Sequence, residues 1–224
     1  MKRILLVVSI ALCGVFQMSG QTVGGHEYVD LGLSVKWATC NVGASSPAEY
    51  GDFFAWGERS PKKEYLWENY EFRISGESEF DVVFSRYITD SQWGKVDNNR
   101  RLERVDDAAR VLWGNFWRMP TRGEFKELIE NCTWTWTTLE GKKGYKVTSR
   151  INGKSIFLPA TGYQNDNYGS DSMWNRGTEG NYWSSMINTK YSNMAAYLLF
   201  SESGVSVSNN GSRCGGRAIR PVTQ

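Results

Sequence analysis

The stretch from Thr121 to Cys132 carries the strongest helical signal in this chain, and it constrains what the rest can become. Thr121-Arg122-Gly123-Glu124 fits a capping box, in which the threonine hydroxyl takes a backbone N–H and the glutamate reaches back. Phe125, Leu128, Ile129 and Cys132 then fall at i, i+3, i+4 and i+7, one face of a helix. Cys132 is therefore expected to point inward at the helix end. The segments around this helix are short and follow period two rather than 3.6. Trp134 and Trp136 alternate with threonines, and Val35 and Trp37 alternate with Ser34 and Lys36. One firm helix among many short strands makes the chain α+β. A second short helix is expected over 105–113, with Ala108, Ala109 and Leu112 on one side.

Strand signals continue along the chain. Residues 28–38 read as two short strands around a glycine turn, and Asn152-Gly153 between two β-rich runs predicts a hairpin. Further strands are expected at 182–186, 195–200 and 205–208. Residues 218–222 should form an edge strand, because Pro221 has no N–H to give a ladder. Residues 41–64 are loop-rich yet carry Tyr50, Phe53, Phe54 and Trp56, so this loop should fold back on the core. Residues 70–103 are charged and aperiodic and read as a variable excursion. The segment 159–180 reads as one irregular loop of about twenty residues, a length that in a compact domain points to function.

The first twenty residues read as an address. Lys2 and Arg3 precede an apolar run over 4–16, and Ser19 and Gly20 supply a small-residue cut site. The run is shorter than the roughly 20 apolar residues a membrane-spanning helix needs. Residues 1–20 are thus expected to be a cleaved signal peptide and 21–224 the working domain, exported to the periplasm, the cell surface or the medium. Removing Lys2 and Arg3 from the 26 basic residues leaves 24 against 24 acidic ones, so the exported chain is neutral. That balance argues against a nucleic-acid partner. No transmembrane segment is expected in the exported part. Ten tryptophans, eleven tyrosines and ten phenylalanines argue against disorder. Cys40, Cys132 and Cys214 meet an oxidising compartment after export. A Cys40–Cys132 disulfide is the first expectation and Cys40–Cys214 the alternative.

Several phrases together resemble one family. They are Tyr28-Val29-Asp30-Leu31-Gly32-Leu33 running into Lys36-Trp37-Ala38, and Gly51-Asp52 followed by Phe54-Ala55-Trp56-Gly57-Glu58. Trp117-Arg118-Met119-Pro120-Thr121 with Glu124 follows, then Ile156-Phe157-Leu158-Pro159-Ala160 with Gly162. Gly180-Asn181-Tyr182-Trp183-Ser184-Ser185 and Arg217-Ala218-Ile219-Arg220-Pro221-Val222 complete the set. In this order they resemble the Fibrobacter succinogenes major paralogous domain, over roughly residues 27–222. That family is in turn similar to the formylglycine-generating enzyme and C-type lectin-like folds. The resemblance implies a single lectin-like domain with one or two helices, long loops presenting a ligand surface, and both chain ends in one sheet. It implies no reaction.

Enzyme chemistry finds little to use. The formylglycine-generating enzyme employs a pair of cysteines close in sequence near its C-terminal end, where this chain has Cys214 alone, flanked by Arg213 and Arg217. The one histidine is His26, far from it in sequence. No zinc spacing is present, Arg176 stands where a calcium-binding Trp-Asn-Asp phrase needs its acid, and no cofactor is implied. The expected function is a non-enzymatic binding domain of a bacterial cell surface, with a glycan or a surface protein as partner. Tyr163, Asn165, Asn167, Tyr168, Asp171, Trp174, Asn175 and Tyr182 are the expected ligand-binding residues. They pair rings, which give apolar area, with amides and acids, which give hydrogen bonds. The loops 186–194 and 208–217 are the next choice. Trp183 is expected in the core. The alternatives are a domain with residual thiol chemistry, a binding protein diversified by a retroelement over 181–217, and a structural piece of an extracellular assembly.

Overall fold

A computed structural model describes residues 21–76, 80–164 and 173–224, so the expected signal peptide lies outside the described residues. Among these residues the protein is α+β and mostly antiparallel strand. The first strands are β1 (Gln21–Val23), β2 (His26–Val29) and β3 (Lys36–Ala38), followed by β4 (Arg73–Ser75) and β5 (Val83–Phe84). Helices α1 (Ala108–Trp113) and α2 (Arg122–Asn131) precede β6 (Cys132–Leu139), β7 (Lys142–Ser149) and β8 (Ser155–Pro159). The chain ends with β9 (Tyr163–Gln164), β10 (Met173–Trp174), β11 (Glu179–Ile187), β12 (Met194–Ser201), β13 (Gly204–Ser212) and β14 (Val222–Thr223).

The sheets run β1-β2-β3-β14, β4-β5, β6-β7-β8, β9-β10 and β11-β12-β13. Both ends of the described chain therefore meet in one sheet, where Val222 faces Trp37. The edge strand expected over 218–222 is reduced to β14, Val222–Thr223, after Pro221; it is outermost in that sheet, and a bridge from Val222 to Arg118 pairs its other side.

Helix α2 forms because its first turn is closed locally. Thr121 Oγ1 accepts the Glu124 N–H at 3.2 Å, and Glu124 Oε2 accepts the Thr121 N–H at 2.7 Å. The same carboxylate takes both guanidinium nitrogens of Arg118, at 2.8 and 2.5 Å. Thr121→Ala is expected to lower stability by about 0.5–2 kcal/mol, read as a shifted urea midpoint; an unshifted midpoint would mean the cap carries nothing. Phe125, Leu128 and Cys132 are buried as the helical stripe predicts, and Ile129 is half-buried. In α1 the expected face is only partly right: Ala108 and Ala109 are buried, but Leu112 is 48% exposed.

The hairpins show what two-residue signals do and do not settle. β6 and β7 are joined by Glu140 and Gly141, at φ 49° and 77°. Two left-handed residues make the turn whose twist matches a strand pair, although Glu-Gly is not the usual signature. At the predicted Asn152-Gly153 site the hairpin exists, but strands β7 and β8 end at Ser149 and Ser155. Asn152 Oδ1 instead accepts the Lys154 N–H at 3.1 Å, and Ser149 Oγ accepts the N–H groups of Ile151 and Asn152. Side chains competing for the backbone widen the turn.

Two apolar cores form. One lies between α2 and the strands that include Trp37, Val147, Leu158 and Leu198. The other is built largely from irregular chain, with Phe54, Trp56, Tyr70, Phe84 and Tyr87 among its members. The stretch expected to be an excursion, 70–103, thus contributes Phe72, Val82, Phe84, Tyr87, Ile88 and Trp93 to this core. Buried irregular backbone needs hydrogen-bond partners, and aromatic side chains supply them here. Tyr65 Oη donates to the Phe53 carbonyl, Trp183 Nε1 to Phe54 O at 2.8 Å, and Tyr70 Oη to Trp56 O at 2.6 Å. Burial pushes the Tyr65 phenol up to about 12, so it stays a donor.

No disulfide joins Cys40, Cys132 and Cys214, which corrects the expected Cys40–Cys132 bridge and its alternative. Cys40 Sγ lies 3.6 Å from Thr39 Oγ1 and Cys214 Sγ 3.2 Å from Ser212 Oγ. Burial raises the Cys132 thiol to about 11.

Candidate functional site

The segment expected to be one irregular loop contains a strand pair. Tyr163 on β9 faces Trp174 on β10, and both are half-buried. Gln164 exchanges both backbone hydrogen bonds with Gly216, each 2.9 Å long, which ties the pair to the chain after β13. Below it lies Arg217, buried, with its guanidinium 5.5 Å from the Tyr163 ring, 4.3 Å from Trp183 and 4.4 Å from Tyr197. Loss of water holds the Arg217 pKa below the usual arginine range, and the Tyr197 hydroxyl opposes that shift.

The expected site residues fare unequally. Asn165, Asn167, Tyr168 and Asp171 lie outside the described residues. Asn175 is exposed at φ 54°, and its carbonyl accepts the N–H groups of Thr178 and Glu179. Tyr182 is a correction. It is wholly buried, its hydroxyl donates to Pro159 O at 2.6 Å, and its ring stacks on Phe200. It therefore packs the core and cannot touch a ligand. Trp183 is buried, as expected.

A cavity of about 350 Å³ opens elsewhere, lined among others by Phe80, Gln92, Trp93, Tyr191, Asn193 and Asn210. Four separate stretches of chain build it. Asp90 caps the turn Ser91–Trp93 by accepting the Gln92 N–H at 2.8 Å, which sets Trp93 into the wall. Asn188 Oδ1 accepts the N–H groups of Lys190 and Tyr191 at 2.9 and 3.2 Å and bends the loop before β12. Asn188 Nδ2 donates to Asn209 O at 3.0 Å, which binds that loop to the strand carrying Asn210. Phe80 is 81% exposed and Tyr191 43%, whereas Trp93 is only 5% exposed. Among the described residues the lining offers ring faces and amides and no ionic group, a set that suits an uncharged ligand with hydroxyl or amide groups.

Arg213 supports this cavity from within. Its Nη1 donates to Ser192 O at 2.9 Å, and its own N–H donates to Asn193 O at 3.1 Å. Its Nε donates to Tyr70 Oη at 2.9 Å, and the ring of Phe84 lies 4.2 Å from its guanidinium carbon. The fallback loops 186–194 and 208–217 contain part of this site. Phe80 and Trp93 are missed by sequence reasoning, because they sit in the stretch with no periodicity.

Cys214 is fully buried, with Ser212 Oγ 3.2 Å from its sulfur. No group of three or more metal-binding side chains occurs among the described residues. His26 stacks on Trp113 at 3.7 Å with the rings 4° from parallel. Burial lowers its pKa, so the unfolded chain takes up the proton first as pH falls. Its contribution is complete above the unfolded value and is lost as pH drops through the folded one. Between about pH 7 and 5 the melting temperature of the wild type should therefore fall further than that of His26→Phe, which keeps the stack without the titration; parallel curves would show that His26 does not couple.

No helix among the described residues is long and apolar enough to cross a membrane. Compared with protein-family models, curated proteins and solved structures, the chain matches none.

Proposed function

We propose that this chain is an exported, non-enzymatic, lectin-like domain of a bacterial surface, and that it captures an uncharged glycan or a protein side chain of like chemistry in the Phe80–Trp93–Tyr191 cavity. One observation carries the reading. Phe80 and Tyr191 leave large ring surfaces open to solvent beside the amides of Gln92, Asn193 and Asn210. Exposed rings beside paired donors and acceptors are what recognition surfaces use. The resemblance of the six sequence phrases to an exported, lectin-like family supports the same conclusion, as does a helix that follows Arg118-Met119-Pro120-Thr121. Burial of Cys214 speaks against thiol chemistry, since a substrate has no path to a fully covered sulfur.

The test is capture on an array of neutral glycans and in pull-downs of surface proteins, with melting temperature measured on the same samples. The double variant Phe80→Ala, Tyr191→Ala should lose binding by about 700-fold or more, because two central ring anchors at about 2 kcal/mol each contribute about 4 kcal/mol together. Its melting temperature should hardly move, since both rings are exposed. Binding should survive a calcium chelator. Unchanged capture by the folded double variant would place the site elsewhere.

A further inference from the structure

Sheet β6-β7-β8 ends on β6, and β6 lacks the devices that keep edge strands from pairing. It runs eight residues opposite β7 with no shift of register, and it contains no charge, proline or glycine. Such an edge is a template for another strand. The other edges are short or closed. β1 and β14 have three and two residues. β11 is bridged by Gly162 and Ala218. β8 ends at Pro159. β13 is interrupted by a register shift against β12, and Arg122 of α2 reaches Asn209 on it.

The hairpin turn fixes which backbone groups of β6 are used. A two-residue turn makes Leu139 and Lys142 a hydrogen-bonded pair, so Thr137, Thr135 and Thr133 also bond to β7. The N–H and C=O groups of Trp134, Trp136 and Thr138 then point to the outer edge. None of them has a backbone partner among the described residues. Arg150 Nη1 takes Cys132 O at 2.9 Å and closes one end of the edge.

We propose that β6 pairs antiparallel with β6 of a second copy of this chain, across a two-fold axis at Thr135. The sequence Thr133-Trp134-Thr135-Trp136-Thr137 is self-complementary in that register. Trp134 meets the partner's Trp136, and Thr133 meets the partner's Thr137. Trp134 and Trp136 are the residues whose backbone groups face outward, so each cross-pair exchanges both hydrogen bonds. Threonines stay on one face and tryptophans on the other, which a one-residue slip would destroy. No like charges meet across the axis, since β6 carries none. The product is a closed two-fold dimer with one six-stranded sheet. It does not depend on what the cavity binds.

Thr135 is exposed and sits on the axis, so charge there reads the interface directly. Sedimentation equilibrium of the purified protein should give twice the chain mass. Thr135→Lys and Thr135→Asp should each give a monomer with melting close to wild type, because like charges then face each other across the axis. Mixing the two variants should restore the dimer, now joined by opposite charges. A monomeric wild type overturns the proposal. So does a dimer in either single variant, or a mixture that stays monomeric.

Discussion

Arg213→Met should cost this fold about 3–5 kcal/mol, nearly as much as removing a large core side chain. Methionine fills much of the space, so the loss reads the guanidinium's hydrogen bonds and ring contacts rather than its volume. Four acceptors would lose their donor: Tyr70 Oη, and the carbonyls of Arg86, Tyr87 and Ser192. Each buried acceptor left unpaired costs about 1–3 kcal/mol. The cation also loses the rings around it, with Trp56 at 5.0 Å and Phe84 at 4.2 Å. Arg213→Lys should recover little, because an ammonium cannot reach in several fixed directions as a planar guanidinium does. The measurement is a urea midpoint with the slope held constant. A Met variant within about 1 kcal/mol of wild type would show that packing alone holds the site. The loop carrying Tyr191 rests on the Ser192 carbonyl, so the same variant should also weaken ligand capture.

Gly180→Ala is expected to be comparably severe, for a steric reason. Gly180 pairs with Phe200 across β11 and β12. A Cβ at this position would lie 1.9 Å from the ring. The ring cannot step aside, because it is buried between Tyr182 at 5.9 Å and Tyr145 at 5.3 Å. Overpacking of a filled core costs about 1–3 kcal/mol and more where nothing yields, so about 3 kcal/mol is expected here. Combining it with Phe200→Leu should recover part of that loss, because residues in contact couple by about 0.5–3 kcal/mol. Additive losses in the double variant would show that the clash is not the cause.

Much of the framework was legible in local chemistry. The cap of α2 is written in four consecutive residues, Thr121 to Glu124, and forms as they predict. The pairing of 28–29 with 37–38, the strand through Trp134 and Trp136, and the outermost place of β14 are also nearest-neighbour or period-two facts. Each follows from which side chains lie three, four or two positions apart.

Other features rest on contacts between residues far apart in the chain, and these only the tertiary structure decided. Period two says that β11 has two faces, not whether both are covered. Both are, so Tyr182 is buried although it stands in a polar, ring-rich stretch. The excursion over 70–103 has no periodicity because its rings pack one by one against Arg213 and the carbonyls of another loop, which demands no repeat. The cavity joins Phe80, Trp93, Tyr191 and Asn210, and no local pattern links those positions. Arg213 and Arg217 flank Cys214 and Arg220 stands in the expected edge strand, with no local pattern that sends their charges inward, yet all three are buried. A charged side chain is placed inside only when rings and carbonyls from distant segments converge on it, and that convergence is a property of the folded chain.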